Sequence, residues 1–420
     1  MDLKVYTRKR KKKKRAHQQT FELPDEMVWE ILIRLPVQSL ARFKSVSKAW
    51  LASISDPSFV LAHLQCSKES QHRNSSSLLV TPQVLVERGP VVGAFSTTIY
   101  FYQWSLQEED MNMKGTATLV YGRHFPATEF RKVSTMAHCD GLMLLPTDTK
   151  AYVFNPATRD AIALPQSQHK HGGCLLVGLG LDTSTGKYKV ARSFYRSRSS
   201  EMVAMGMEIF TINGEEDPWR ETLVDPPYPI VCPQTDTHYK GYLFYFINKK
   251  SNHQYPDPKG LLRFSLVDET FGVTSLLPNI YHMVEDEGKD VYLNELGGEL
   301  CATLFILGLR QVLIFMTSDV LNPDWSCRYG IHLPNKFYPL GLPASGRILM
   351  RVGNQVIDYD LEYDVSREDG IFDMDDIRYL GPNEDILGHE WPENVRWFDI
   401  ASYTESLVPV TPKASLRRAL

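Results

Sequence analysis

The sequence predicts an α+β multidomain chain in which a small helical domain precedes a large all-β domain. Two observations support this fold class. Apolar residues recur at helical spacing between about residues 23 and 64, and beyond residue 78 they form short aromatic and β-branched runs bounded by Gly, Pro, Asn and Asp. With 420 residues, of which 43% are hydrophobic, the chain can bury one small and one large core. A disordered or collagen-like chain is therefore excluded.

The first 20 residues form a polybasic tail, which we expect to be disordered because like charges repel and nothing apolar is available to pack. The tail carries a net charge of +8 in a chain of net charge −4, so the remaining residues sum to −12. Its eight consecutive basic residues are Arg8, Lys9, Arg10, Lys11, Lys12, Lys13, Lys14 and Arg15. We interpret this run as a nuclear-localisation signal, with a phosphate-backbone contact and a solvated tail as the alternatives.

Direct binding of nucleic acid is the less favoured interpretation, because basic residues without interleaved aromatic side chains give no base readout. The expected location is the nucleus, the cytoplasm or both. Six widely spaced cysteines without a CxxC pair favour a reducing compartment. The most apolar late stretch, residues 300–316, contains Arg310 and is too short to span a bilayer. We therefore predict a soluble intracellular protein with no membrane partner.

The helical domain is predicted over residues 21–66. Val28, Ile31 and Leu35 follow a helical period, Asp25 is expected to cap this first helix, and Pro36 ends it. A second short helix is predicted from Leu40 and Phe43, and a third from Val46, Trp50, Leu51 and Ile54. One or two final helical turns are predicted from Phe59, Val60 and Leu64. The polar, serine-rich residues 67–77 are predicted to be a linker.

The β-domain is predicted over residues 78–412, with a short tail at 413–420. A glycine precedes an apolar run at Gly141, Gly178, Gly241, Gly298 and Gly346, with gaps of 37, 63, 57 and 48 residues. This spacing is near that of kelch and WD propeller blades, which are four-stranded antiparallel sheets. We therefore expect a β-propeller of about six or seven blades, closed by a strand from the C-terminus. Because the gaps are uneven, a pair of irregular β-sandwiches is the alternative.

The helical domain carries a specific sequence pattern. The segment Leu23–Trp50 contains LP, then IL and RLP, then SLARFKSVSKAW, and it resembles an F-box; Ser47 stands where many members have Cys. The resemblance implies that this segment binds a Skp-type adaptor. The residues that match adaptor-contacting positions are Leu23, Pro24, Ile31, Leu35, Pro36, Leu40, Val46 and Trp50. We expect Leu35 and Trp50 to be the main anchors, and Val28 and Leu32 to lie in the core of the helices.

The β-domain resembles the F-box-associated domain of the large plant F-box family. The matching segments are Cys139–Leu145, Tyr152–Arg159, Asp182–Val190 and the closing Tyr403–Val408. The resemblance implies a non-catalytic substrate-recognition subunit of a Skp–cullin–F-box ubiquitin ligase, which reaches cullin through its adaptor and holds an unidentified target protein. Candidate target-recognition segments are Ser193–Glu201, Pro226–Pro229 and Lys249–Pro258.

The alternative function is a propeller enzyme, such as a glycosidase or lactonase, with carboxylates in the central channel. The sequence offers little catalytic chemistry in its support. Residues 180–188 imitate a phosphate loop but have the wrong glycine spacing, so we interpret them as a hairpin turn. His138 and Cys139 are adjacent on a strand and face opposite sides, and the cluster His169–Cys174 lacks a second ligand group nearby. No cofactor or metal is predicted.

Overall fold

The computed structural model describes most of the chain between residues 24 and 411. The described ranges are 24–74, 77–86, 94–95, 97–105, 116–126, 129–130, 135–147, 149–169, 176–198, 203–214, 219–230, 237–248, 258–278, 280, 291–332, 336–342, 346–362, 365–374, 377–381 and 395–411. The polybasic tail and Leu23 lie outside these residues.

Four helices form the N-terminal part, called here the helical unit. They are α1 (Asp25–Leu32), α2 (Val37–Phe43), α3 (Lys48–Ile54) and α4 (Pro57–Asn74). Pro24, rather than the expected Asp25, occupies the N-cap of α1, and no side chain caps that helix. The hydroxyl of Ser47 accepts a hydrogen bond from Trp50 N at 3.1 Å and so caps α3.

The predicted linker is wrong for most of its length, because α4 continues through Asn74. Residues 67–74 of the predicted linker form the later turns of this helix, and its earlier residues Val60 and Leu64 pack in a core shared with the propeller. Polar composition indicated a connection, whereas tertiary packing of Val60 and Leu64 supports a helix of 18 residues.

The remaining chain forms β-strands. In chain order they are β1 (Ser77–Val86), β2 (Ala94–Phe95), β3 (Thr98–Ser105), β4 (Thr116–His124), β5 (Ala137–Cys139), β6 (Leu142–Pro146), β7 (Ala151–Asn155), β8 (Asp160–Ala163), β9 (Leu176–Asp182), β10 (Lys187–Arg198), β11 (Val203–Thr211), β12 (Arg220–Glu221), β13 (Thr237–Tyr239), β14 (Tyr242–Tyr245), β15 (Gly260–Ser265), β16 (Phe271–Ser275), β17 (Val291–Leu296), β18 (Glu299–Ile306), β19 (Gln311–Thr317), β20 (Ser326–His332), β21 (Tyr338–Gly341), β22 (Arg347–Val352), β23 (Gln355–Asp360), β24 (Val365–Asp373), β25 (Arg378–Leu380) and β26 (Val395–Ser402).

These strands build a six-bladed propeller, which excludes the sandwich alternative. Blades 2 to 6 are the antiparallel sheets β5–β8, β9–β12, β13–β16, β17–β20 and β21–β24. Blade 1 contains β26, β1, β3 and β4, so a strand from each end of the domain closes the ring. The first strands of neighbouring blades lie side by side and surround the channel. One pairing departs from the expected antiparallel pattern, since the short β25 runs parallel to β4.

The glycine repeat marks the turn between the first and second strands of a blade. Gly141, Gly241, Gly298 and Gly346 precede β6, β14, β18 and β22 with φ of 80°, 80°, 84° and 78°. The prediction that Gly178 belongs to this repeat is wrong, because Gly178 lies inside β9; Gly186, with φ of 67°, holds the equivalent place before β10. With Gly186 the gaps become 45, 55, 57 and 48 residues, which is more even than the sequence indicated.

A buried ion cluster joins blade 3 to blade 4. Lys189 Nζ lies 2.9 Å from Asp182 Oδ2 and 3.0 Å from Glu269 Oε1, and it donates to Leu266 O at 2.6 Å. The side chains of Lys189 and Asp182 are only 8% and 2% exposed. Burial by itself would raise the pKa of Asp182, but hydrogen bonds from Ser184, Lys189 and neighbouring groups lower it well below its usual range. The cluster therefore fixes the two blades through charged groups that have little access to water.

Candidate partner-binding surfaces

The helical unit has a small core that the propeller completes. Its buried residues are Leu32, Val37, Leu40, Ile54 and Phe59, joined by Leu407 from the segment after β26. Two aromatic pairs, Trp29 with Phe59 and Phe43 with Trp50, pack edge to face with ring centroids 4.9 and 5.1 Å apart. Because Leu407 is only 3% exposed, the helices and the propeller share one core rather than merely touching.

Between the start of α1 and the end of α3, four large apolar side chains are in contact with water. The exposed ones are Met27 (52%), Ile31 (50%), Val46 (65%) and Leu51 (46%). Met27 and Ile31 are four residues apart on α1 and therefore lie on one stripe of the helix. We call these four side chains the apolar face. An exposed apolar stripe such as that of Met27 and Ile31 is typical of a surface that binds another protein.

The predicted adaptor-binding residues divide by burial. Pro24, Ile31, Pro36 and Val46 are exposed, whereas Leu35 and Trp50 are partly buried against the helical core. Leu40 is fully buried, so the expectation that it contacts a partner directly is corrected. The exposed Met27 and Leu51 were not among the predicted adaptor-binding residues. The spacing of Met27 and Ile31, which places both on one stripe of α1, could have indicated Met27.

The segment after β26 holds the helical unit in place. Glu405 Oε2 accepts a hydrogen bond from Val37 N at 2.9 Å and so caps the N-terminus of α2, where a negative charge is favourable. Asn155 Nδ2 in blade 2 donates to Ser406 O and to Val408 O at 2.9 and 2.8 Å. The matching segment Tyr403–Val408 thus follows the closing strand β26 and connects the propeller to the helices.

Helix α4 makes a second connection. His63 Nε2 donates to Leu35 O at 2.9 Å, and Lys68 forms an ion pair with Asp140 at 2.5 Å, in the turn before β6. Asp140 also accepts a hydrogen bond from Tyr188 of blade 3 at 2.9 Å. The helical unit thus sits on the face of the propeller that carries the turns between first and second strands. We call this the near face and the opposite one the far face.

The far face carries the connections between blades and the hairpins between second and third strands. We expected the candidate recognition segment Ser193–Glu201 to be an exposed loop. This prediction is wrong for its first part, because β10 extends through Arg198 and Ser193 is buried. Pro226–Pro229 follows blade 3 on the far face, and nearby Leu223 is fully exposed. Most of Lys249–Pro258 lies outside the described residues. The far face is therefore the part of the propeller that the helices leave open.

Cys139 and His138 face opposite directions, as the strand period predicted. Cys139 is buried among the core residues between blades 2 and 3, whereas His138 is exposed. Burial raises the pKa of the Cys139 thiol well above its usual range, so it is protonated and a poor nucleophile. Its sulfur lies 3.5 Å from His238 Nδ1, while His238 Nε2 accepts from Leu181 N and Gly241 N, both at 3.3 Å. These bonds identify His238 as a neutral side chain that joins blades 2, 3 and 4.

His238 makes stability depend on pH. Burial lowers its pKa to about 4 from 6.5 in the unfolded chain, so unfolding takes up a proton between these values and stability falls as pH drops from about 6.5 to 4. The slope is about 1.4 kcal/mol per pH unit at most. We expect the free energy of unfolding of His238→Gln to fall less than that of the wild type when the pH drops from about 7 to about 5. Urea unfolding measures both free energies, and parallel pH profiles for the two proteins would contradict this prediction. The raised pKa of Asp399 has the opposite effect on the pH dependence of stability, but it does not affect the comparison because both proteins contain Asp399.

Among the described residues, no group of three or more His, Cys, Asp or Glu side chains could hold a metal ion. Asp399 accepts a hydrogen bond from Met136 N at 2.6 Å, and Glu295 accepts one from Gly298 N at 2.7 Å. The imitation phosphate loop is a hairpin turn between β9 and β10, as predicted, with Gly186 N donating to Asp182 O. Within the described part of the chain, no helix is both long and apolar enough to cross a bilayer.

Comparisons with known proteins agree with this architecture. The F-box domain family matches residues 21–61, and the family described as F-box associated beta propeller domain matches residues 92–328, more than half of the chain. The helical unit and six-bladed propeller thus define the class of propeller-bearing F-box proteins. This chain belongs to the F-box family with an F-box associated β-propeller domain.

Individual relatives span most of the chain. An F-box protein of Arabidopsis thaliana is 26% identical over 327 residues, covering 77% of this chain and 75% of the relative. The F-box/WD-40 repeat-containing protein 1 of the same plant is 25% identical over 411 residues, covering 92% and 89%. Among solved structures, a chain of the nidogen/laminin complex aligns with a TM-score of 0.36 at 12% identity, over 78% of this chain and 99% of that chain.

Proposed function

We propose that this protein is the substrate-recognition subunit of a Skp–cullin–F-box ubiquitin ligase. The apolar face binds a Skp-type adaptor, and the far face of the propeller binds a target protein, which other subunits of the ligase ubiquitinate. The chain itself performs no covalent chemistry in this proposal. The observation that carries it is the exposure of Met27, Ile31, Val46 and Leu51 on a helical unit that belongs to the F-box family.

The rigid connection between the two parts supports the same function. A receptor must hold its target at a fixed place relative to the rest of the ligase, because ubiquitin transfer needs the reacting groups brought together. Here the shared core at Leu407, the Glu405 cap and the Lys68–Asp140 ion pair all fix the helices on the near face. The open far face then points away from the adaptor.

The test is adaptor binding by a variant of the apolar face. We expect the double substitution Ile31→Asp, Val46→Asp to weaken binding of a purified Skp-type adaptor on the order of 100-fold or more, since apolar anchors of this kind contribute about 2 kcal/mol each. Both side chains are at least half exposed, so the helical core stays intact. Isothermal titration calorimetry gives the affinity, and circular dichroism checks the fold.

The matched control is Leu321→Asp, which changes an equally exposed leucine (56%) in blade 5. It should bind the adaptor like the wild type. Wild-type affinity in the double variant, or no adaptor binding by the wild type under conditions that recover other F-box proteins, would overturn the proposal.

A further inference from the structure

The propeller channel has a distinct group of side chains at its far-face end, between blades 5, 6 and 1. Tyr292 is the second residue of β17 and Tyr338 the first of β21, and both of these inner strands run from the far face to the near face. Their rings pack edge to face with centroids 5.1 Å apart. Asp399 lies on the third inner strand, β26.

The two tyrosines are partly exposed to solvent. Tyr292 is 38% and Tyr338 41% exposed. Yet desolvation, with the nearby charge of Asp399, raises the pKa of Tyr292 to about 12. A side chain that contacts water but is surrounded by protein lies in a channel rather than on an open surface. Aromatic surface left uncovered in such a place can receive a ligand.

Asp399 supplies a negative charge that its surroundings compensate incompletely. Asp399 is 8% exposed, its carboxylate accepts a hydrogen bond from Met136 N, and burial raises its pKa to about 6. Arg351, the register partner of Tyr338, lowers this pKa electrostatically, but its Nε donates to Gly353 O at 3.1 Å. A cation placed beside Asp399 would therefore stabilise its ionised form.

We propose that the far-face end of the channel binds a basic side chain, lysine or arginine, from an extended segment of the target protein. The cation would lie against the faces of Tyr292 and Tyr338 and pair with Asp399, combining cation–π attraction with a partly desolvated ion pair. The charge of −12 on the chain beyond its first 20 residues attracts such a segment over longer distances. This inference rests on the proposed function only for the source of the ligand, the target protein.

The test uses the full-length chain and three fluorescein-labelled dodecapeptides, in which glycine alternates with lysine, glutamine or glutamate. Fluorescence polarisation at about 0.15 M salt gives each affinity, since weak long-range attraction is largely screened there. We expect the lysine peptide to bind more tightly than the glutamine peptide and the glutamate peptide to bind least. Asp399→Asn, which keeps an acceptor for Met136 N, and Tyr338→Ala should each weaken binding of the lysine peptide at least fivefold.

The matched control is Glu362→Gln, which removes one exposed negative charge from the near-face end of blade 6 and should change the affinity less than twofold. Equal loss in Glu362→Gln and Asp399→Asn would show only unspecific attraction to an acidic protein and would overturn the proposal. So would tightest binding of the glutamate peptide, or no binding of the lysine peptide by the folded wild type. The channel variants should bind the adaptor normally, so failure of adaptor binding and failure of peptide binding are distinguishable.

Discussion

Replacing Leu407 by aspartate is expected to detach the helical unit from the propeller and to abolish adaptor binding. Leu407 is 3% exposed and lies in the same core as Leu32, Val37, Leu40 and Phe59. The substitution removes a buried apolar side chain and places a charge among apolar groups, which costs roughly 3–5 kcal/mol. A segment of about 40 residues buries too little apolar surface of its own to stay folded after that loss.

Hydrogen exchange measured by mass spectrometry distinguishes this result from general unfolding. Amide protection should fall across α1 to α3, while the inner strands of blades 4 and 5 keep theirs. Pro409→Asp is the matched control, because it places the same charge on an exposed residue of the same segment. Unchanged protection of the helices in Leu407→Asp would mean that the helical unit folds without the propeller.

The second large effect is expected in the propeller itself, from Lys189→Met. Methionine keeps most of the volume but removes the charge that pairs with Asp182 and Glu269, whose side chains are 2% and 15% exposed. Breaking a buried ion pair by removing one partner costs about 3–5 kcal/mol, because the remaining charge is left uncompensated. We expect the free energy of unfolding to fall by about 3 kcal/mol, the lower end of this range, since Ser184 still donates to Asp182 and Arg220 still pairs with Glu269.

The measurement is thermal unfolding at neutral pH, where both acids are ionised. A loss of about 3 kcal/mol should lower the melting temperature by roughly 4 °C, given the large unfolding entropy of a domain of this size. Lys187→Met, two residues earlier on the same strand and exposed, should leave it within about 1 °C, as surface substitutions usually do. Equal melting temperatures for the two variants would show that the cluster contributes nothing to the joint between blades 3 and 4.

The local sequence pattern was sufficient to predict the fold class. Short apolar and aromatic runs bounded by turn residues predicted the strands β6, β7, β14, β15, β19 and β22, and helical spacing predicted α1 to α3. These signals are local because side-chain period follows directly from backbone geometry. The turn glycines were equally visible, apart from Gly178, since a positive φ before the second strand strongly favours glycine.

Burial at single positions was not predictable in the same way. Ile31 and Leu40 both read as apolar helix positions, but Ile31 is half exposed and Leu40 is fully buried. The difference depends on which helix face meets α4 and the segment carrying Leu407, and that segment lies more than 360 residues away in the chain. An apolar period shows which side chains share a helix face, but it does not show whether that face is buried or what covers it.

The sequence by itself determined an F-box-like helical segment, an antiparallel β-domain of repeated four-stranded units, and the turns that begin each second strand. The tertiary structure decided that there are six blades, that β26 closes the ring beside β1, and that Glu405 and Leu407 fix the helices on the near face. It also brought the rings of Tyr292 and Tyr338 into contact across blades 5 and 6. The physical reason is that these contacts join residues far apart in the chain, and neither side of such a contact carries a local signal of its partner.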